Sequence, residues 1–467
     1  MKMSAQQKTE MMGTEKVWKV LLVMAGPGIL AQLSHTLYNL VDRFFMGQYV
    51  GNTALGAVSL TSPLINIMAG LSLLITIGGA ALLSMRLGRG ELDSARVLFS
   101  NLMVQAVVTS FALALIYFLF APQIIRLCGA PKTSTLYEGA VLYLRITSFG
   151  LMFQLLNAVQ ASVIRAEGNV QYSLIVSLIG GLINVGLDAL LVVGFHMGVA
   201  GAAYATVASQ LVSALVSTFY FFGGRSRMRW TGFGSINPKL LAEVVRAGMA
   251  PAILQMLSFF TGILLNNSLR KYGDLSPVGG DMAISVMSVI QTSESIFTGV
   301  VMGINQAASP ITSYNFGAEK YDRVKQTTIL AVLSATVFSF ASWALMMFAP
   351  QILFAVFCSD TSIAAYGVHA MRLNRMLAMC MGVQSLCAMF FSSIGRPATA
   401  TFMSVLKQGA FLIPGLLILP RILGLDGVLL STAVSDFFST IFILCLYVSG
   451  LRKLGTPEYQ TAKWTGI

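Results

Sequence analysis

Long apolar runs recur along the whole chain and are separated by short polar stretches. The runs are rich in Leu, Ala, Met and Ile, and they lack the alternation that is typical of membrane β-barrel strands. Because lipid offers the backbone no hydrogen-bond partners, an apolar run of roughly 20 residues predicts a membrane-spanning helix. About twelve spans are predicted, centred near Leu30, Leu71, Ala112, Phe153, Ile183, Ser209, Phe259, Val300, Ser339, Met381, Leu412 and Phe442.

The polar stretches divide the predicted spans into two groups of six. The longest connection runs from Gly223 to about Lys239 and carries three arginines, so we interpret it as a linker between two halves. The predicted organisation is an N-terminal tail (1–16), a six-helix bundle (17–223), a linker (224–239), a second six-helix bundle (240–450) and a C-terminal tail (451–467).

An internal repeat supports the division into halves. The segment from Phe120 to Ile124 recurs unchanged from Phe348 to Ile352, 228 residues later. Helix-punctuating residues match at nearly the same offset: Pro27 with Pro251, Gly70 with Gly299, Gly88 with Gly317, and Gly168 with Gly395. Halves with an even number of spans enter the membrane in one orientation, so we expect a pseudo-twofold axis along the membrane normal and a central cavity. This scaffold suits alternating access, and it would also serve a channel or a flippase.

Composition and charge agree with a chain that has lipid as its main solvent. Only 10% of the residues are charged and 56% are hydrophobic. The net charge of +12 is spread over many short connections, which argues against a nucleic-acid partner. Placing the N-terminus in the cytoplasm puts about 20 Lys and Arg residues inside and about six outside, as the positive-inside rule requires. We therefore expect a multi-pass protein with an uncleaved first span and both termini in the cytoplasm.

Motifs for catalysis, metals and nucleotides are missing from the sequence. The five cysteines show no CxxC spacing and the three histidines are far apart, so neither a disulfide framework nor a metal site is predicted. HExxH, GxSxG and Walker-type patterns do not occur. We predict that the protein is not an enzyme, needs no cofactor and draws its energy from an ion gradient.

Two acidic residues inside predicted spans are candidates for ion coupling, since charges are costly within the hydrocarbon. Tyr38 precedes Asp42 by four residues and Asn184 precedes Asp188 by four, so each pair shares a helical face. Burial favours the protonated form of a carboxyl group, which lets such a group load and release a proton. The alternative for Asp42 is an ion pair with Arg43 at the headgroup boundary.

Other polar residues within the spans leave two interpretations open. Glu294 is either a cation-binding group in the second half of the cavity or a packing element, and His35 is either a proton relay or a hydrogen-bonded core histidine. The basic residues could line the cavity or neutralise an acid, and snorkelling from a helix end is the favoured interpretation. The residues concerned are Arg145, Arg372, Arg375 and Lys407, and we treat Asp436 with the same caution.

Two motifs carry a family resemblance. Leu37 to Asp42, followed by Gly47, resembles the first-helix signature of the multidrug and toxic compound extrusion (MATE) family, and Ile164 to Asn169 resembles the loop after its fourth helix. The resemblance covers nearly all twelve spans and is strongest to the DinF and MepA branch. It implies an all-α polytopic membrane protein with twelve transmembrane helices in two pseudo-symmetric six-helix bundles.

The resemblance also implies a site. Residues that match the branch's acidic site would bind a coupling proton or sodium ion: Tyr38, Asp42, Asn184, Asp188 and Thr206, with Asn157 as a neighbour. Candidate residues of the substrate cavity are Gln154, Gln160, His35, Glu294 and Asn266. The NorM-like branch has a glutamate in its seventh span, where this chain has Asn266 and Asn267. We therefore expect coupling to be asymmetric and to reside in the N-terminal bundle.

The expected activity is secondary active antiport. By the resemblance, the chain would be a monomer in the cytoplasmic (inner) membrane, surrounded by lipid, exporting small cationic or amphipathic organic compounds in exchange for protons or sodium. The main alternative is a lipid-intermediate flippase of the same superfamily, for which a strongly basic cavity would be expected. An intramembrane enzyme would need a nucleophile or a metal constellation.

Overall fold

The computed structural model describes residues 5–50, 57–58, 60–128, 132, 136–224, 226–357 and 361–456. Arg225, Cys358 and the side chain of Arg43 lie outside the described residues. Within them, all long elements are helical. The first half contains α1 (Ala5–Thr14), α2 (Val17–Phe45), α3 (Ser62–Gly88), α4 (Leu92–Leu127), α5 (Tyr137–Ala166), α6 (Val170–Asp188) and α7 (Gly198–Phe222).

The second half repeats this pattern with two interruptions. It contains α8 (Pro238–Asp274), α9 (Gly280–Gly317), α10 (Tyr321–Phe348), α11 (Pro350–Phe357), α12 (Thr361–Asn374), α13 (Met381–Ser393), α14 (Pro397–Val405) and α15 (Ile413–Lys453). The repeated segment behaves differently in the two halves, because α4 continues through Pro122 whereas α10 ends just before Pro350. A second break, between α12 and α13, bends the tenth span by 43°.

The described residues supply the crossings that the hydropathy pattern predicts. Ten helices are long and apolar enough to span a membrane, and the bent pair formed by α12 and α13 adds an eleventh. The last helical run covers 57 residues, about 85 Å at 1.5 Å per residue, whereas the hydrocarbon core is only about 30 Å thick. Its backbone leaves helical geometry at Gly424, where φ is 60°. Gly427, after this break, packs on the carbonyl of Leu419, before it. The run is therefore a helical hairpin that crosses the membrane twice.

The two halves are in close contact on the side of the membrane that carries the described N-terminus. A Cβ atom on Gly88 of α3 would collide with the carbonyl of Tyr314 in α9, and one on Gly317 of α9 would collide with the carbonyl of Met85 in α3. This reciprocal contact is what a pseudo-twofold axis between repeated helices produces. Farther along the bilayer, a Cβ on Gly70 would lie 3.8 Å from the carbonyl of Ala252, an ordinary van der Waals distance. Close packing continues into the spans as far as Gly248 of α8, where a Cβ atom would collide with the carbonyl of Leu74, and it is looser at Gly70. The bundles are therefore sealed on the N-terminal side.

Helix α1 reinforces this seal by contacting both halves. Met12, near its end, is completely buried. The bridging hydrogen bonds run from Lys8 Nζ to Asn169 Oδ1 (2.9 Å), from Thr9 Oγ1 to the carbonyl of Glu167 (3.1 Å), from Asn315 Nδ2 to the carbonyl of Met12 (2.9 Å), and from Lys320 Nζ to the carbonyl of Gly13 (2.8 Å). The first two partners belong to the first half and the other two to the second, so α1 closes the junction on this side.

The linker between the halves is anchored by Glu167, which is completely buried. Its carboxylate accepts hydrogen bonds from Ser226 Oγ and from the backbone N–H of Arg227, both at 2.8 Å. Burial is the larger influence and raises the pKa of this carboxyl group, while the hydrogen bonds lower it. The motif from Ile164 to Asn169 therefore has a structural role, because it holds both the linker and α1. Gly168 and its repeat partner Gly395 share positive φ values of 83° and 78°, a conformation that glycine adopts without strain.

Candidate functional site

Two carboxyl groups from different helices meet inside the first bundle. Asp188 ends α6 and is completely buried, and Asp42 lies near the end of α2. The two side chains are close enough for a hydrogen bond between their carboxyl groups. The backbone after Asp188 winds into a π-helical segment, Ala189–Gly194, and such segments recur at functional sites. The sequence predicts both residues as ion-coupling groups, and the fold brings them together.

The remaining predicted residues of the acidic site surround this pair. Asn184 is buried one turn before Asp188. The ring of Tyr38 lies against Gly181, a position on α6 where the lack of a side chain leaves room for it. Thr206, from α7, lies within hydrogen-bonding range of Tyr143, which interacts with both carboxyl groups. Helices α2, α6 and α7 therefore each contribute part of one polar cluster.

Tyr143 is a member of this cluster that sequence reasoning missed. It lies on α5, is buried, and places its hydroxyl within hydrogen-bonding range of Thr206. It also interacts electrostatically with Asp42, Asp188 and Tyr38. A lone tyrosine in an apolar span has no sequence feature that separates it from a packing residue, and only the crossing of α5 with α2, α6 and α7 identifies it.

The hydrogen-bond donors of this cluster do not reach the carboxylate of Asp188. Apart from the Asp42 carboxyl group, no group of the described chain donates a hydrogen bond to either carboxylate oxygen of Asp188. Asn184 Oδ1 likewise accepts no hydrogen bond from the described residues. Two buried carboxylates side by side repel each other unless a proton or a cation is shared between them. The arrangement is therefore chemically suited to take up a positive charge.

Several predicted site residues make their contacts elsewhere. Asn157 Oδ1 accepts a hydrogen bond from Ser217 at 2.7 Å, and Gln160 Nε2 donates to Thr218 at 2.8 Å, so both tie α5 to α7. Gln154 is half-buried on α5, and Asn266 is exposed on α8. The ring of His35 packs edge-on against Tyr38 at 4.9 Å between centroids. Only His35 among this group directly adjoins the acidic cluster.

Two acidic residues within the spans of the second bundle have basic partners in the same bundle. Glu294 forms an ion pair with Arg375, which is buried, so the carboxylate already has a protein cation as its partner. Lys407 forms an ion pair with Asp436, with Nζ and Oδ1 2.9 Å apart. The snorkelling interpretation is wrong for Arg375 and Lys407, because both point into the protein toward an acid. Arg145 stacks over the ring of Phe118 at 6.0 Å, and Arg372 Nε donates to the carbonyl of Met347.

A metal centre would need several ligating side chains in one place. No group of three or more His, Cys, Asp or Glu side chains within the described ranges has the geometry to hold a metal ion. The acidic cluster offers two carboxyl groups with amide and hydroxyl oxygens, a set suited to a proton or a hard monovalent cation rather than to zinc.

Comparisons with known proteins agree with the repeat and with the fold. A family model described as MatE matches residues 27–190 and, a second time, residues 251–415. The multidrug export protein MepA of Staphylococcus aureus (strain NCTC 8325 / PS 47) is 26% identical over 428 residues, covering 90% of this chain and 91% of the relative. The MepA protein of Staphylococcus saprophyticus is 24% identical over 422 residues, with the same coverage.

Solved structures extend this similarity to three dimensions. The MATE multidrug transporter DinF-BH, solved as a complex with a ligand, superposes with a TM-score of 0.85 and 30% identity, covering 94% of this chain and 96% of that chain. A MATE structure in complex with MaL6 has a TM-score of 0.89 at 18% identity, covering 96% and 99%, which bears on the fold alone. Since the MatE model matches both halves and the twelve-helix fold is shared, the chain is a member of the MATE family of membrane transporters.

Proposed function

We propose that the protein is a secondary active antiporter that exports small cationic or amphipathic organic compounds in exchange for protons or sodium ions. The observation that carries this proposal is the pair formed by the completely buried Asp188 and the partly buried Asp42. A carboxylate that is fully buried beside a second carboxyl group, with no other hydrogen-bond donor among the described residues, is unstable as a bare anion. The pair must bind a proton or a small cation, and export requires that it release this ion again.

Alternating access explains how binding and release are separated. The bundles are sealed on the N-terminal side by the close contact of α3 with α9 and by α1. An opening on that side requires these contacts to separate while the opposite side closes, which is the rocking motion expected of two repeated bundles. Ion loading at the acidic pair would then bias the equilibrium between the two states, because each state exposes the pair to a different solution.

The proposed substrate class draws on the relatives. The two MepA proteins are named multidrug export proteins, and DinF-BH is named a multidrug transporter. Of the basic side chains within the spans, Arg375 and Lys407 are neutralised by acidic partners in this chain. Spans in which these two cations are paired and an acidic pair lacks a basic partner favour cationic compounds over the phosphate-bearing intermediates that a flippase moves.

The proposed location is the cytoplasmic (inner) membrane, with both termini in the cytoplasm. The described ends of the chain lie on the same side, because Gly455 packs against Tyr321 at the start of α10, and Lys320 beside it bonds to α1. The excess of Lys and Arg on that side follows the positive-inside rule. The sealed side would then face the cytoplasm.

Everted membrane vesicles containing the protein test this proposal. A proton gradient or a sodium gradient directed from the lumen to the bath would be imposed separately while the movement of ethidium is followed by fluorescence, because an exporter carries ethidium into an everted vesicle as the coupling ion leaves it. One gradient alone should drive ethidium accumulation, and a protonophore or a sodium ionophore, respectively, should abolish it. Accumulation that needs neither gradient, or that is absent with both, would exclude the proposed antiport.

A further inference from the structure

A polar cluster in the second bundle has the chemistry of a cation site. Gln384 and Asp436 are buried in the membrane-spanning part, and Asp436 lies roughly 25 Å along its helix from Lys453. The Lys407 ammonium donates to Asp436 Oδ1 at 2.9 Å and to Gln384 Oε1 at 2.6 Å. A carboxylate oxygen and an amide oxygen are the ligand types that also bind small hard cations.

Further contacts fix these oxygens in place. Gln384 Nε2 donates to Thr440 Oγ1 at 2.7 Å and to Ser439 Oγ at 3.1 Å, which orients the amide with its oxygen toward the ammonium. Ser435 Oγ donates to the carbonyl of Lys407 at 2.8 Å. The thiol of Cys380 is a further titratable group that interacts electrostatically with both Asp436 and Lys407. The Lys407 ammonium is therefore surrounded by oxygen atoms that other hydrogen bonds hold in place, unlike an ion pair on the protein surface.

The internal repeat shows what makes this position special. At the 227-residue offset that relates Gly168 to Gly395, Lys407 corresponds to Gly180. At the 226-residue offset that relates Gly198 to Gly424 in the following helix, Asp436 corresponds to Gln210. In the first bundle, Gly180 packs against Ser213 and close to Ser209. The same helix crossing is therefore neutral and closely packed in one bundle, and carries a paired cation and anion in the other.

We propose that the Lys407 ammonium is a tethered cation that permanently fills a monovalent-cation site formed by Asp436 and Gln384. The tether cannot leave, so Asp436 exchanges no ion with the solution during transport. This consequence rests on the proposed antiport function, and it explains why only the first bundle would couple to an ion. Removal of the ammonium should uncover a site that a free cation such as sodium can enter.

The test measures sodium binding without reference to transport. Lys407→Ala and Lys407→Met would be made in an Asp188→Asn background, so that sodium bound at the first bundle does not contribute. Thermal unfolding of the purified full-length variants would be followed in sodium chloride and in choline chloride at equal ionic strength. There are two controls in the same background. The first is the parent Asp188→Asn protein, which keeps Lys407, and the second combines Lys407→Ala with Asp436→Asn.

A sodium-dependent rise of several degrees in the unfolding midpoint is expected for Lys407→Ala, because a ligand that binds only the folded state stabilises it. The rise should be absent in both controls. Equal midpoints in the two salts for a folded Lys407 variant would overturn the proposal. If both variants fail to fold even in sodium, a free cation cannot replace the ammonium, and the proposal is again wrong. Because ion-driven efflux is not the readout, failure here leaves the proposed antiport standing.

Discussion

The buried and partly buried acids within the spans differ in what neutralises them. Asp436 and Glu294 have protein cations within contact distance, whereas Asp188 faces the carboxyl group of Asp42. A paired acid can remain charged inside the bilayer, but two adjoining acids need a proton or a cation from outside the protein. Asp188 is therefore the candidate for binding an exchangeable ion, because no Lys or Arg of the described residues pairs with it.

The sequence could predict the residues of the acidic pair, but it could not predict the ion pairs of the second bundle. The four-residue spacing of Tyr38 with Asp42 and of Asn184 with Asp188 is local, so each helix face could be predicted without knowing the fold. The partners of Glu294 and Lys407 lie on other helices, and hydropathy says nothing about which helices cross. Tyr143 was missed for the same reason.

Tyr143→Phe tests whether the hydroxyl near the acidic pair takes part in coupling. The variant keeps the aromatic packing of α5 and loses only the group near Thr206. We expect gradient-driven efflux to fall several-fold and its dependence on external pH to shift, while the amount of folded protein stays unchanged. Tyr117→Phe is the matched control, because Tyr117 is equally buried in the first bundle but donates to the carbonyl of Leu64 instead. Equal efflux by both variants would remove Tyr143 from the site.

At the scale of elements, hydropathy was sufficient to place the spans. Each of the twelve predicted centres falls in a helical segment of the structure. The sequence predicted α1 only as part of a polar tail and not as a helix. Its position depends on contacts with Glu167, Asn315 and Lys320 rather than on an apolar face, and such contacts leave no hydropathy pattern. The reversal at Gly424 and the break between α12 and α13 depend on backbone geometry that a hydropathy pattern does not encode.

The crossing of α3 with α8 gives a prediction about the seal. A Cβ atom on Gly248 would collide with the backbone of Leu74, whereas Gly262, farther along the same helix, has nothing within 4 Å. Gly248→Ala should lower the free energy of unfolding by about 1–3 kcal/mol through overpacking. Gly262→Ala should leave it unchanged or raise it by up to about 1 kcal/mol, because alanine favours helix. Denaturant unfolding of both purified variants measures the difference, and a Gly248→Ala variant as stable as Gly262→Ala would show that the helices do not cross this closely.

Helix α1 must leave its position whenever the N-terminal side opens. Met12 is completely buried at the junction, while Thr14 is exposed two residues later. In a background without native cysteines, Met12→Cys should react slowly with a membrane-impermeant thiol reagent and markedly faster during substrate turnover. Thr14→Cys should react at the same fast rate in both conditions. A Met12→Cys rate that does not respond to turnover would mean that α1 stays docked throughout the cycle.

On the scale of the whole molecule, the repeat preserves the fold while the chemistry diverges. At the 224-residue offset that relates Pro27 to Pro251, Asp42 corresponds to Asn266, and at the offset of Gly168 and Gly395, Asp188 corresponds to Gly415. The acidic pair therefore has no counterpart in the second bundle. Conversely, Lys407 and Asp436 stand where the first bundle has neutral residues. Backbone symmetry allows the two bundles to rock against each other, and the unequal side chains confine ion exchange to one of them.

The central claim is that the acidic pair of the first bundle couples transport to an ion. It is tested most directly by gradient-driven ethidium efflux, measured as accumulation inside everted vesicles that contain wild type, Asp188→Asn or Asp426→Asn. Asp426 is a half-exposed acid beside His369 and serves as the control. The account predicts that Asp188→Asn abolishes the response to the imposed gradient while ethidium binding and the folded yield persist, and that Asp426→Asn behaves as wild type. Undiminished gradient-driven efflux by Asp188→Asn would contradict it.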